Sequence, residues 1–183
     1  MKEFLDVINA RKSVRNYAAD KVSAEDLKTI AEAGIYAPNA MNKQEWHFTV
    51  VSDADLLGKM SEACRKGMAA CPVPMLQKRA EDPDFNAFFR APAVIVVTAS
   101  EEKFSAFNAG CAVENICLAA QALGYGTCVT ASTEFMFAGD PDLNKTLLIP
   151  EGYHFVCAVT LGKEAPGPDD HVRDRNKDVI SYL

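Results

Sequence analysis

Arg11-Lys12-Ser13-Val14-Arg15-Asn16-Tyr17 sets three cations and a hydroxyl within five residues. The chain carries a formal net charge of −6, yet no acid falls between Asp6 and Asp20. Such local segregation of charge is what an anion site requires. Arg11 and Arg15 each offer a planar fork of donors and Ser13 adds a hydroxyl, so the segment suits a phosphate dianion. The same residues also read as a solvated helix end. Phe4, Val7 and Ile8 have helical spacing, and cations are favoured near a helix C-terminus.

Working outward, Ser23-Ala-Glu-Asp opens a helix over 23–36 with Ser23 as its N-cap. Leu27, Ile30, Ala31 and Gly34 form its apolar face, and Pro38 stops it. Ala37-Pro38-Asn39-Ala40-Met41-Asn42-Lys43-Gln44-Glu45 is then a polar loop that runs into the strand Trp46-His47-Phe48-Thr49-Val50-Val51. The amides of Asn39, Asn42 and Gln44 suit a ring edge that carries both donors and acceptors. Pro and Asn are equally ordinary in a capped turn.

Asp53 to Cys64 reads as a helix, with Leu56, Leu57 and Met60 on one side. Residues 65–91 read as irregular. Met68, Met75, Phe85, Phe88, Phe89 and three prolines there suit a mobile lid over an apolar pocket, or a connector packing its aromatics on the core. Ala93 to Ala99 is a continuous apolar run, hence a buried strand. The segment 106–123 is apolar or small nearly all round, as in a helix buried on most sides. Its polar exceptions, Glu114 and Asn115, read as interface or structural hydrogen-bonding groups. Strands are expected at 125–130 and 153–161, the latter led by the turn Ile149-Pro150-Glu151-Gly152-Tyr153. The tail carries Arg173, Asp174 and Arg175 before Val179-Ile180.

The 183 residues suffice for one domain with a sizeable core, and 49% apolar with 24% charged residues is ordinary for a globular chain. The acidic balance argues against nucleic acid or an anionic membrane as a partner. No apolar run is long enough to cross a bilayer, and no secretory signal is visible beside Glu3 and Asp6, so a cytoplasmic location is expected. The six cysteines form no C-x-x-C, and His47, His154 and His171 have no metal-ligand spacing. Gly124-Tyr125-Gly126 lacks the third glycine of a dinucleotide fingerprint and precedes a strand rather than a helix.

Taken together, these segments resemble the nitroreductase family of FMN-dependent oxidoreductases. Arg11–Tyr17 is similar to its motif Arg-Arg-Ser-x-Arg-x-Phe/Tyr, and Pro38–Phe48 to Pro-Ser/Thr-x-x-Asn-x-Gln-Pro-Trp-x-Phe. Ala109–Gly126 looks like its helix Gly-x-Ala-x-x-Asn-x-x-Leu-Ala-Ala, and Gly124–Ser132 its Gly-Leu-Gly-Ser/Thr-Cys-Trp strand. Glu45 stands where the family has proline, Val129 where Trp is frequent, and Ala131-Ser132 where a glycine-rich pair is usual.

The resemblance implies an α+β fold, a three-layer α-β-α sandwich with a mixed, mainly antiparallel sheet, and an intertwined homodimer with FMN at the subunit interface. It implies that Arg11, Lys12, Ser13 and Arg15 hold the flavin, with Lys12 or Arg15 supplying charge near N1 and O2. Pro38, Asn39, Ala40 and Asn42 would reach the flavin of the other subunit. Thr130, Ala131 and Ser132 would present backbone N–H groups, and Arg173 or Arg175 would meet the phosphate. The implied activity is hydride transfer from NAD(P)H through flavin N5 to a nitroaromatic, quinone or similar acceptor, with ping-pong kinetics and no protein nucleophile or acid–base dyad. A non-catalytic flavin-binding or flavin-storage protein on the same fold is the other reading, which the departures keep open.

Overall fold

Strand β2 (Ala93–Ser100) is buried on both faces, and its alternation assigns each face to a separate core. Ala93, Ile95, Val97 and Ala99 point into one core and Val94 and Val96 into the other. The computed structural model describes residues 4–167 and 175–183. Along the chain lie α1 (Phe4–Ala10), α2 (Ala24–Ile35), β1 (Trp46–Val51), α3 (Ala54–Ala70), α4 (Pro74–Ala80), β2, α5 (Ser105–Ala122), β3 (Gly126–Thr130), α6 (Phe135–Gly139), α7 (Leu143–Thr146) and β4 (Tyr153–Gly162). Two 3-10 turns, Ala40–Asn42 and Ser132–Glu134, complete it.

The sheet order is β1-β2-β4-β3, with every ladder antiparallel. A parallel bridge between Ser13 and Thr127 makes the sheet mixed at its edge. Helices α2 and α5 cover one face, burying Leu27, Ile30, Val113, Ile116 and Ala120 against β2 and β4. Helices α3, α6 and α7 cover the other, burying Met60, Met68, Met136, Leu143 and Leu147. This is the expected three-layer sandwich.

Caps follow the sequence. Ser23 Oγ accepts from Asp26 N at 3.0 Å, and Asp53 Oδ1 accepts from Leu56 N at 2.7 Å. Segment 65–91 departs from the irregular reading. Helix α3 continues through Gly67 to Ala70, and α4 starts with Pro74 at its first position. Gly67 looks like a helix-weakening residue but is a packing residue. A Cβ there would collide with the Phe135 carbonyl, and one at Gly139 with the Ala63 carbonyl, so α3 and α6 cross backbone to backbone. Of the two readings of 65–91, the connector is the one observed. Phe88 and Met68 are buried in the core, and Ala87 N donates to Ser61 Oγ at 2.9 Å.

Candidate active site

β3 is an edge strand, and its open side receives the cationic segment. Val14 N donates to Thr127 O at 2.8 Å. A Cβ on Gly126 would stand 2.6 Å from Val14 Cγ2, so only glycine lets the segment lie flush. Val14 and Tyr17 are buried with Ala91. Tyr17 Oη donates to Val14 O at 2.7 Å and lies 2.7 Å from Thr160 Oγ1. Arg15 faces out.

The cations differ in their commitments. Arg11 Nε lies 3.5 Å from Glu114 Oε1, and Lys12 Nζ 3.0 Å from Glu164 Oε1. The Arg15 guanidinium lies over the Phe89 ring, 5.9 Å from its centroid, and among the described residues it has no carboxylate partner. Arg15, Ser13 and Arg11 all act on the Cys128 thiol of β3. Burial raises its pKa, and the three offset only part of that rise. The Ser13–Thr127 bridge lays the 11–15 segment along the edge strand.

Three residues beyond Thr127, about 10 Å by strand rise, β3 ends at Thr130. Ala131 turns into the helical region, and the 3-10 turn follows. Thr130 O accepts from Thr133 Oγ1 at 3.2 Å, and Ala131 O accepts from Glu134 N at 3.0 Å. Among the described residues no protein acceptor takes the N–H of Ala131 or Ser132. Thr130 and Ser132 are half-buried and Ala131 is exposed.

The loop before β1 forms a second cluster. Met41, Asn42 and Gln44 all have positive φ, near 53°. For non-glycine residues this costs of order 1 kcal/mol each, and such strain gathers at functional loops. Asn39 Oδ1 accepts from Gln44 N at 2.9 Å, and Asn42 Oδ1 accepts from Gln44 Nε2 at 3.3 Å. Lys43 Nζ bridges Glu45 and Glu102, each at 3.3 Å, which raises its pKa. Glu45, the residue standing in place of the family's proline, thus helps tie the loop to the β2–α5 turn.

Asn108, on α5, was not anticipated from sequence. Its side chain is buried, and Oδ1 accepts from Ala40 N at 3.3 Å. Its Nδ2 is buried with no partner among the described residues, which costs roughly 1–3 kcal/mol. Asn108 lines a hollow of about 270 Å³ with Pro38, Asn39, Ala40, Phe104 and Phe107. The sequence signal for Asn108 was its place seven residues before Asn115, two helical turns along the same face. Asn115 itself is structural, with Nδ2 donating to Ala33 O at 3.2 Å.

The expected site residues therefore fall into two groups. Arg11, Lys12, Ser13, Arg15, Thr130, Ala131 and Ser132 lie along β3. Pro38, Asn39, Ala40 and Asn42 lie in the loop, whose contacts go to Asn108, Lys43 and Glu45. Arg175 is exposed, whereas Arg173 and His171 lie outside the described residues. Among the described residues no His/Cys/Asp/Glu group suits a metal ion, and no helix is long and apolar enough to cross a membrane.

The cationic segment on the edge strand and the strained polar loop are thus two clusters on a three-layer α-β-α frame. The sequence model of the nitroreductase family matches residues 8–163, and this chain belongs to that family. An Archaeoglobus fulgidus protein provisionally named NADH dehydrogenase/NAD(P)H nitroreductase is 37% identical over 172 residues, covering 88% of this chain and 86% of that one. A Bacteroides fragilis nitroreductase crystallised with bound FMN superposes with a TM-score of 0.92 at 29% identity, covering 100% of both chains. A Desulfitobacterium hafniense nitroreductase with bound FMN gives 0.88 at 33% identity, covering 100% of this chain and 99% of the other.

Proposed function

We propose that this chain is an FMN-dependent oxidoreductase that moves hydride from NAD(P)H to a quinone, a nitroaromatic or a similar acceptor. The carrying observation is Arg15 beside Ser13 and Arg11, with no carboxylate partner among the described residues, about 10 Å of strand from the N–H groups of Ala131 and Ser132, which no acceptor among the described residues takes. That donor set fits FMN. A dianion meets cations and a hydroxyl at one end, and a ring edge meets N–H donors at the other. Bound there, FMN would supply a two-electron carrier that accepts from NAD(P)H and donates to the second substrate.

The chain's own residues then have separable tasks. Arg15, Ser13 and Arg11 hold the phosphate, with Lys12 adding charge. Arg173 or Arg175 is a further phosphate ligand. Ala131 and Ser132 orient the ring through their N–H groups, and Thr130 fixes the bend that presents them. Net, NAD(P)H gives up a hydride, solvent gives a proton, and a quinone leaves as the hydroquinone.

We further propose a homodimer in which Pro38, Asn39, Ala40 and Asn42 complete the site of the partner subunit. Phe4, Leu5, Tyr36, Met41, Phe104 and Phe107 are large, apolar and exposed on this protomer, which supports a covered face. Residues 1–183 act as one domain. All six cysteines are unpaired, which supports a reducing, cytoplasmic setting.

The test is direct. The purified protein is expected to be yellow, to release one FMN per chain on denaturation, and to oxidise NAD(P)H when given menadione. A colourless protein that binds no added FMN would sink the proposal. FMN that NAD(P)H cannot reduce would favour the storage reading instead.

A further inference from the structure

We propose that a second cavity, where the end of β1 meets the start of β2, binds a phosphate monoester with a small apolar body. Val51 pairs with Val94, so these two strand ends lie side by side. The cavity holds about 280 Å³ and draws its polar lining from three places in the chain. Ser52 follows β1, Asn86 and Arg90 belong to the turn before β2, and Lys21 precedes α2. None of its lining residues belongs to the two flavin clusters or to the exposed apolar residues assigned to the dimer face.

Every polar side chain on this lining can donate, and no Asp or Glu is among them. Lys21 makes no ion pair among the described residues. Arg90 meets Asp84 at 3.4 Å, but their side chains are 67% and 88% exposed, so water and salt screen the pair and leave the cation open to a guest. Asn86 spends its Oδ1 on Phe88 N and Arg90 N, so its amide has only Nδ2 donors left to offer. Phe89 and Arg90 keep left-handed backbone there, strain of the kind that gathers at binding loops. Two cations, a hydroxyl and an amide suit a tetrahedral oxyanion. A phosphate monoester carries close to two charges at pH 7 and three terminal oxygens. A carboxylate offers one charge and two oxygens in a plane. Leu57 and Phe88 of the α3-side core also line the cavity, which gives the guest an apolar body.

The test is calorimetric titration of the full chain with phenyl phosphate, in saturating FMN so that the cations along β3 are occupied. One saturable site per chain is expected. Lys21→Gln and Arg90→Gln, both at exposed positions, should each weaken binding roughly tenfold, the loss of one charge-assisted hydrogen bond. Arg15→Ala should leave it at the wild-type value. Inorganic phosphate, which lacks the body, and benzoate, which lacks the second charge, should both bind more weakly than phenyl phosphate. No saturable binding of phenyl phosphate would overturn the proposal, as would wild-type affinity in both the Lys21 and the Arg90 variants. Inorganic phosphate bound as tightly would deny the guest its apolar body, and benzoate bound as tightly would make it a carboxylate; either result overturns the assignment. A loss confined to Arg15→Ala would overturn it too, by moving the binding to the flavin cluster.

Discussion

Arg15 rests its guanidinium over Phe89, 5.9 Å from the ring centroid, across the junction between the N-terminal segment and the turn before β2. That turn is built to hold the ring. Phe89 and Arg90 have φ of 56° and 57°, and Asn86 Oδ1 accepts from Phe88 N at 3.0 Å and Arg90 N at 2.9 Å. A ring platform positions the cation without neutralising it, whereas the carboxylates beside Arg11 and Lys12 do neutralise theirs.

Arg15→Ala should therefore weaken FMN binding by about 1.5–3 kcal/mol, as a lost charge-assisted hydrogen bond would. Phe89→Ala should cost less, about 0.5–1 kcal/mol, because it removes only the support. Titration of apoprotein with FMN measures both. Equal affinities for wild type and Arg15→Ala would remove this residue from the phosphate site.

Helix α3 offers a paired test of packing. Gly67→Ala must part the α3 and α6 backbones and should destabilise by at least about 2 kcal/mol. Gly58→Ala meets nothing within 4 Å on the same helix and should stabilise by about 0.5–1 kcal/mol. Urea unfolding monitored by circular dichroism ranks the two. The same sign for both would mean that α3 and α6 separate easily.

This contrast also explains what could be read in advance. The strands β1, β2 and β4 were legible because their apolar runs carry their own boundaries, and the family because the order of residue types in 11–17 matches its motif. Gly67 was not legible as a helical residue, since its reason lies in Phe135, far along the chain. The short helices α6 and α7 were missed for the same reason. Five and four residues do not complete a helical period, and their burial comes from α3. Asn108 was hidden because its partner, Ala40 N, is a backbone group in another element.

Sedimentation equilibrium of the flavinated protein should give a dimer at micromolar concentration. The loop carrying Asn39 and Asn42 and the groups along β3 form separate clusters in one protomer, so a complete site calls for a second copy. A stable monomer with a full complement of FMN would defeat this.

Stability should fall in alkali. Burial raises the thiol of Cys117 to about 11 and those of Cys64 and Cys157 to about 12, from an ordinary value of 9.0. Above pH 9 the unfolded chain loses these protons while the folded chain keeps them, so rising pH favours unfolding. Their contribution is fully present below about pH 8 and is lost between pH 9 and 12, each thiol adding up to about 1.4 kcal/mol per pH unit. Urea midpoints at pH 8 and pH 10 in wild type and Cys64→Ala test this. The variant should show the shallower decline, and equal declines would count against a buried neutral thiol.

The last prediction concerns reaction order. Among the described residues there is no metal cluster, and the cysteines are separate thiols rather than a disulfide pair. Cys64, Cys117, Cys128 and Cys157 are buried, and burial holds them protonated, the reverse of what a redox thiol needs. If the flavin is the only redox centre, it serves donor and acceptor in turn at one site. Steady-state rates should give parallel double-reciprocal lines when menadione is varied at several NAD(P)H concentrations. Each cysteine should be replaceable by Ser or Ala without loss of NAD(P)H-driven bleaching, with buried replacements lowering stability by roughly 1–3 kcal/mol. Intersecting lines would reveal a ternary complex. A folded, FMN-loaded variant that lost bleaching with one cysteine would reveal a thiol step between donor and acceptor.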